Sequence, residues 1–391
     1  MKKVGLAIGY EVENYGGVLQ AYATQKTVEK MGIDYEVINL SGISKTLNKR
    51  KLSYYAKKAF DHDVIKDKGG YIYKKIVGKL NSKFGRKLSS RSLSFKLFRE
   101  NNFTFSRACS DFRQLREMCT RYDSVLVGSD QLWLPSNIEA DFYTLNFVPS
   151  YVNKVAYATS FGMATLPDKQ KEMAKDFLTR IEYLSARELS GHKLIRELTG
   201  RNVPIVCDPV MLLTTSEWEN ICVAQKKEKE KYIFCYFLGK NMKAREFAKK
   251  LREATGFKII SLNHCDIYVK EDDEMADYSP YDFNPTKFVE YIKNAEYICT
   301  DSFHASTFSL MFKKLFFTFR RFTDTSTQST NNRLDSLFEM TGAGNRIFTG
   351  NEDVKEALKK EIDYKQVSFN LGKMKESSYR YLRESLLEEF E

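Results

Sequence analysis

Residues 297–319 read YICTDSFHASTFSLMFKKLFFTF. The run YIC ends in a threonine, an acid and a serine. Residues 303–313 then carry an apolar stripe at helical spacing, and LFFTF closes the stretch as a second apolar run. Two short runs that are apolar along their whole length, joined by a helix, predict neighbouring strands of a parallel sheet covered on both faces. The strand-to-helix corner holds His304, one of only four histidines in the chain.

The same alternation runs outward in both directions. VGLAIG, YEVINL, SVLVG, KVAYATS, YLSA and VPIVCDP read as strands in the N-terminal half. Helices are expected over GGVLQAYATQKTVEKMG, DFRQLREMCTRY, 168–180 and 190–198. After the charge run KKEKEK at 226–231 the pattern restarts with YIFCYFLG, helix 242–254, FKIISL and helix 286–294. A tail helix from Lys373 to Glu391 places Tyr379, Leu382, Leu386 and Phe390 on one side. The expected architecture is α/β, with two Rossmann-like doubly wound domains facing a cleft. Domain one is 1–225, with a basic helical insert at 41–100; domain two is 226–391, with the C-terminal helix. Strand carboxyl ends in such units gather ligands.

Composition narrows the function classes. With 42% hydrophobic and 14% aromatic residues, the chain can bury substantial cores. No apolar run approaches the roughly 18 residues of a membrane span. Seven cysteines are scattered without a CxxC pair, which supports neither a disulfide framework nor a zinc site and suits a reducing cytoplasm. Of the net charge of +11, residues 41–100 carry 17 Lys and Arg against 4 Asp and Glu, so the rest of the chain sums to −2. That distribution excludes a generally basic nucleic-acid binder. No metal and no cofactor are expected.

Polar clusters sit at several predicted strand ends. Asn14, Gly16 and Gly17 stand at the mouth of the first helix, where glycines let backbone amides approach an anion or a sugar. SVLVGSDQLW delivers Ser129, Asp130, Gln131 and Trp133, a set suited to a polyhydroxylated ligand, with Asp130 able to take a hydroxyl proton. ATSFG offers Ser160. SARE offers Arg187, suited to carboxylate or phosphate, or to a surface pair with Glu188. The TDSFH corner combines Ser302, His304, Ser306 and Thr307 at a helix start, an arrangement able to hold an anion. NNRLDSL adds Arg333. Taken singly, each cluster is also accounted for by a cap, a turn or a solvated helix face.

Their order is more specific than any one of them. NYGGVLQAYA, VGSDQLW, ATSFG, SARE, CDPV, TDSFHASTFSLMFKK and NNRLDSL, in this sequence and as far as about residue 340, resemble the polysaccharide pyruvyltransferase family. The resemblance implies a GT-B-like transferase that moves a pyruvyl group from phosphoenolpyruvate onto two hydroxyls of a sugar, forming a cyclic ketal. The acceptor would belong to a surface polysaccharide or its lipid-linked precursor, and phosphoenolpyruvate would be a co-substrate. It further implies His304 as acid or phosphate partner and Asp130 as base. Arg187, Ser302, Ser306 and Arg333 would hold the donor. Asn14, Gly16, Gly17, Ser129, Gln131 and Ser160 would line the acceptor side. The chain departs from the family's T-D-R-x-H corner by carrying Ser302 in place of the arginine, so Arg320, Arg321 or Arg333 would have to replace it.

The basic insert interleaves lysines with LSYYAKKAF, GGYIYKKIVGKL and LSFKLF. Such segments suit an anionic membrane surface at the cytoplasmic face, or equally a helix pair packed on the N-terminal domain. Two other functions fit the same architecture: a nucleotide-sugar glycosyltransferase of GT-B fold, and a non-catalytic glycan- or anion-binding protein.

Overall fold

A computed structural model describes residues 2–57, 82–222, 230–263, 269–322 and 331–388. Two compact units divide the chain. The first comprises the described parts of Met1–Asp61, Asn102–Leu213 and Gly372–Glu391; the second, those of His62–Asn101 and Thr214–Leu371. The break at Leu213–Thr214 precedes the charge run expected to mark it, most of which lies outside the described residues.

In the first unit the elements are β1 (Lys3–Ala7), α1 (Tyr15–Lys30), β2 (Asp34–Val37), α2 (Ser44–Lys57), α3 (Ser82–Asn102), α4 (Phe112–Cys119), β3 (Ser124–Asp130), α5 (Pro135–Ala140), β4 (Asn153–Thr159), α6 (Asp168–Thr179), β5 (Tyr183–Ala186) and α7 (Leu189–Thr199); of α3, only Asn102 counts with this unit. The strands form one parallel sheet of order β2-β1-β3-β4-β5. Val4, Leu6, Val125, Leu126, Val127 and Val155 are fully buried, as expected for strands covered on both faces. The chain leaves β1 for β2 on one side and returns to β3 on the other. The order therefore reverses between β1 and β3, and their carboxyl ends frame the crevice where open α/β sheets take ligands. VPIVCDP is not a full strand. Only Ile205 bridges to Ala186, and Pro204, with no N–H to give, cannot extend the ladder.

The second unit repeats the plan. It holds α8 (Thr215–Ile221), β6 (Tyr232–Tyr236), α9 (Met242–Thr255), β7 (Lys258–Ser261), α10 (Lys270–Met275), α11 (Pro285–Asn294), β8 (Tyr297–Thr300), α12 (Phe303–Met311), β9 (Leu315–Phe319), α13 (Asn332–Thr341), β10 (Ile347–Phe348) and α14 (Val354–Lys359). The parallel order is β10-β9-β8-β6-β7, so the reversal falls between β8 and β6. β10 pairs through only two residues, too short to leave a pattern in the sequence.

The last helix, α15 (Tyr364–Leu387), begins earlier than Lys373, and from Gly372 onward it counts with the first unit. There Tyr381 donates to Ala156 O at 3.0 Å, Ser378 Oγ accepts from Cys207 N at 2.9 Å, and Leu382 and Leu386 are buried. Phe390 lies outside the described residues.

Of the basic insert, residues 58–81, with GGYIYKKIVGKL, lie outside the described residues. α3, up to Asn101, counts with the second unit rather than the N-terminal domain. Arg91 is buried on it and donates to the carbonyl oxygens of Asn263 and Tyr281 (3.1 Å to the latter), while Phe95 and Phe98 are buried on the same side. Leu93 and Leu97 point the other way and are exposed.

Candidate functional site

Each unit concentrates polar groups at the strand ends where its order reverses. In the first, the β1–α1 connection brings Asn14 to the N-cap of α1, where its Oδ1 accepts from Gly17 N at 3.0 Å. β3 ends opposite it in Gly128-Ser129-Asp130. Gly128 has φ 153°, and a Cβ there would lie 1.9 Å from Tyr157 O, so β3 and β4 approach as closely as only glycine permits. Asp130 follows with φ 69°, a left-handed turn that carries its carboxylate out of the ladder. Oδ2 lies over the first turn of α1, 3.5 Å from where a Gly17 Cβ would stand.

Behind Asp130 lies a buried ionic cluster. Arg187, only 2% exposed, donates from Nη1 to Asp208 Oδ2 at 2.8 Å and to Asp130 Oδ1 at 3.5 Å, and from Nε to Glu188 Oε2 at 3.3 Å. The acids are anchored in turn. Asp208 accepts from Val210 N at 3.1 Å and lies 3.3 Å from Ser129 Oγ; Glu188 accepts from Ser160 Oγ at 2.5 Å. Burial pulls the basicity of Arg187 down, but the charges of Glu188, Asp208 and Asp130 outweigh it and hold the guanidinium charged. One cation thus stands among three carboxylates, a net charge of −2. The Arg187–Glu188 pair is buried rather than at the surface.

Other sequence candidates in this unit fall around the cluster. Ser129 N donates to Gln20 Oε1 at 3.2 Å, and the Gln131 side chain packs where a Gly162 Cβ would stand. Gly16 is buried in the first turn of α1. Trp133 is not at a ligand surface: it is fully buried, packed on Phe161 and Phe177, and donates to Tyr143 O at 3.0 Å. Sequence reasoning gave no site role to Glu188, Asp208 or Gln20. Asp208 could have been flagged as an acid emerging directly from the apolar run VPIVC.

The second unit's corner is built differently. Thr300 Oγ1 donates to Tyr236 O at 2.6 Å, tying the ends of β8 and β6 together. Asp301, almost fully buried, accepts from Leu238 N at 2.7 Å and Gly239 N at 2.8 Å. It lies 3.9 Å from Arg321, and a Cβ on Gly239 would strike that arginine at 2.6 Å. Ser302 is the N-cap of α12, accepting from Ala305 N at 3.4 Å. His304 follows in the first turn, 5% exposed, with its ring edge-on to Phe303 at 5.2 Å. The Arg333 guanidinium lies over the same Phe303 ring at 5.9 Å. Ser306 is fully buried and bonds Ser302 O at 3.0 Å and Thr318 Oγ1 at 3.1 Å, while Thr307 bonds Phe303 O. Arg320 is held by both oxygens of Asp335, at 3.0 and 3.2 Å. Of the arginines able to stand in for the family's corner arginine, Arg321 and Arg333 are beside the corner and Arg320 is paired away from it. A surface pocket of about 440 Å³ lined by Asp335, Phe338, Glu339 and Ile347 holds none of these strand-end groups.

A family model described as polysaccharide pyruvyl transferase matches residues 14–321, from the N-cap of α1 to the arginine beside Asp301. The chain belongs to this family. Polysaccharide pyruvyl transferases are transferases, and the matched span contains both corners apart from Arg333. No curated protein matches the chain. Among solved structures, a putative UDP-N-acetylglucosamine 2-epimerase from Listeria monocytogenes is similar at 10% identity, with 100% of this chain and 97% of that chain covered and a TM-score of 0.52. The UDP-GlcNAc 2-epimerase of Methanocaldococcus jannaschii, in complex with UDP-GlcNAc and UDP, is 16% identical over 98% of this chain and 99% of that one, with a TM-score of 0.47. The Listeria likeness bears on the fold alone, which is the GT-B-like pair of Rossmann-like units. Among the described residues no helix is long and apolar enough to cross a membrane.

Proposed function

We propose that this family member transfers a pyruvyl group from phosphoenolpyruvate to two hydroxyls of a sugar, leaving a cyclic ketal. The observation that carries the reading is the contrast in charge between the two corners. The first unit offers a carboxylate set in a cluster of net charge −2, suited to an uncharged polyol. The second offers the N-terminus of α12 with Arg321, Arg333 and His304 near it, beside the carboxylate of Asp301. A donor bearing a carboxylate and a phosphate belongs with the second set.

His304 gives a proton to the methylene carbon of phosphoenolpyruvate, and positive charge develops at the adjacent carbon. Asp130 takes the proton of one sugar hydroxyl as its oxygen bonds to that carbon. Phosphate then leaves, and the second hydroxyl replaces it, its proton passing to the departing phosphate. One diol and one phosphoenolpyruvate yield one ketal and one phosphate. The cations and helix amides stabilise the phosphate as it departs.

A nucleotide-sugar glycosyltransferase would need free loop amides for a diphosphate at the β6–α9 turn. Asp301 already occupies those of Leu238 and Gly239, which favours the pyruvyl reading. The basic segment suits a lipid-linked acceptor at the cytoplasmic face of a membrane. Salt-sensitive flotation with anionic liposomes is expected, and its absence would remove the lipid contact. For the reaction itself, purified protein is incubated with phosphoenolpyruvate and candidate glycans, and phosphate release is followed. Acceptor-dependent release that falls by about 100-fold or more in His304→Ala is expected. Full turnover by that variant refutes the role of His304.

A further inference from the structure

Two arginines follow β9 in succession, and their surroundings differ. We propose that Arg321 bonds the anionic oxygens of the donor directly, and that Asp301 and Gly239 hold it in position to do so. The inference rests on the reading of the second unit's corner as the donor side, and adds which cation binds there and what aims it.

The contacts of the two arginines separate them. Arg320 turns both terminal nitrogens to the two oxygens of Asp335, at 3.0 and 3.2 Å, so its bidentate face is taken. Arg321 is held loosely and from one side. Its only side-chain hydrogen bond among the described residues runs from Nη2 to the backbone oxygen of Asp301 at 3.5 Å, and Nη2 lies 3.9 Å from Asp301 Oδ1. Both distances are long for a charged pair. Nε is buried and has no hydrogen-bond partner among the described residues, so no acid grips the fork of this guanidinium. The Arg321 side chain is 23% exposed, against 1% for that of Asp301, which leaves the cation as the member of the pair that an anion can reach.

Asp301 does not need Arg321 to satisfy it. Its two oxygens already accept from Leu238 N at 2.7 Å and Gly239 N at 2.8 Å. The turn that carries those amides is braced from its carbonyl side by Arg245, which donates to Gly239 O at 3.0 Å and Asn241 O at 3.1 Å. Arg245 is itself paired with Asp272 at 2.7 and 3.1 Å. The absence of a side chain at position 239 then has a spatial reason. A Cβ there would stand 2.6 Å from Arg321 Cγ and 3.0 Å from Asp301 Oδ2. The braced turn is therefore a floor, kept bare at Gly239, along which the stem of Arg321 runs. A guanidinium so placed offers paired N–H groups to a phosphate or a carboxylate, and phosphoenolpyruvate carries both.

The test compares the full chain with Arg321→Gln, Arg321→Lys, Gly239→Ala and Arg320→Gln. In Arg321→Gln the KM for phosphoenolpyruvate should rise about 10- to 100-fold, the span that a charged hydrogen bond supplies. The KM for the acceptor should stay within about threefold, and Arg321→Lys should recover part of the loss. Gly239→Ala keeps the arginine but displaces it, and should raise the same KM by about threefold or more. Arg320→Gln should leave it within about threefold. An unchanged KM for phosphoenolpyruvate in Arg321→Gln, or an equal rise in Arg320→Gln, overturns the proposal. A second readout needs no turnover: the rise in Tm that inorganic phosphate or pyruvate gives to each protein. Loss of the rise in Arg321→Gln but not in Arg320→Gln supports the proposal, and the anion concerned names the end of the donor that Arg321 holds. Equal rises in wild type and Arg321→Gln, or no rise in wild type with either anion, overturn it. If wild type fails to consume phosphoenolpyruvate, the functional reading falls and the anion titrations still decide the role of Arg321.

Discussion

Replacing Gly17 with alanine separates the demands of folding from those of the site. Gly17 lies in the first turn of α1 with a helical backbone, so its conformation does not require glycine. An added Cβ would sit 3.5 Å from Asp130 Oδ2 and 3.7 Å from Asn14 Cβ, both ordinary contacts. The methyl therefore enters without displacing anything. In a helix interior, alanine is favoured over glycine by about 1 kcal/mol; in a first turn roughly half of that is expected. For a chain of 391 residues the gain corresponds to a rise in Tm of about 0.6 °C. The effect on the site has the opposite sign. A hydroxyl that gives its proton to Asp130 must approach to about 2.8 Å, and the methyl takes up part of the open face of Oδ2. Displacing the acceptor by a fraction of an ångström to one ångström costs about 10- to 100-fold in kcat/KM. Thermal unfolding and initial rates of phosphate release at varied acceptor concentration read the two effects independently. A more stable variant with unchanged kcat/KM for the acceptor would show that Gly17 serves the turn alone. A destabilised variant would contradict the space inferred beside Asp130.

Two further outcomes follow from local contacts. Ser302→Ala removes the cap on Ala305 N and should lower stability by about 1 kcal/mol in a denaturant titration, leaving the KM for phosphoenolpyruvate within threefold; a tenfold rise in that KM at unchanged stability would make Ser302 a donor ligand instead of a cap. At the sheet edge, burial alone would raise the Glu36 carboxyl, but bonds from Tyr122 at 2.8 Å and Lys3 at 3.2 Å, with the Arg121 charge, bring it below its ordinary value of 4.5. Its contribution is therefore full above about pH 4.5 and is lost as pH falls through the lower folded value. Glu36→Gln should cost about 1 kcal/mol at pH 7 and progressively less below pH 4, and a difference that stays constant down to pH 2 would refute the assignment.

The strands were legible because fully buried parallel strands are apolar throughout: YIC, LFFTF and SVLVG need no partner to be recognised. The His304 corner was legible because its polar groups follow the strand directly in sequence. The cluster around Arg187 was not. Glu188 is the neighbour of Arg187 in sequence, but Asp130 comes from the end of β3 and Asp208 from the segment after Ile205, and only the sheet order brings these two to the same guanidinium. The allegiance of α3 was hidden for a similar reason. Its lysines suggested a surface, whereas the residue that fixes it is Arg91, whose guanidinium is satisfied by carbonyls nearly 200 residues away. The strand expected over VPIVCDP failed on a local rule that the sequence did display, the missing N–H of Pro204.

The central claim is that phosphoenolpyruvate is protonated at its methylene carbon and its pyruvyl group passes to a sugar diol. Running the reaction in heavy water with a glycan acceptor and examining the product by NMR and mass spectrometry tests this most directly. The account predicts a sugar-bound ketal whose methyl group carries one deuterium, formed in equal amount to the phosphate released. Phosphate released without a ketal, a ketal methyl free of deuterium, or turnover of a nucleotide-sugar in place of phosphoenolpyruvate would contradict it.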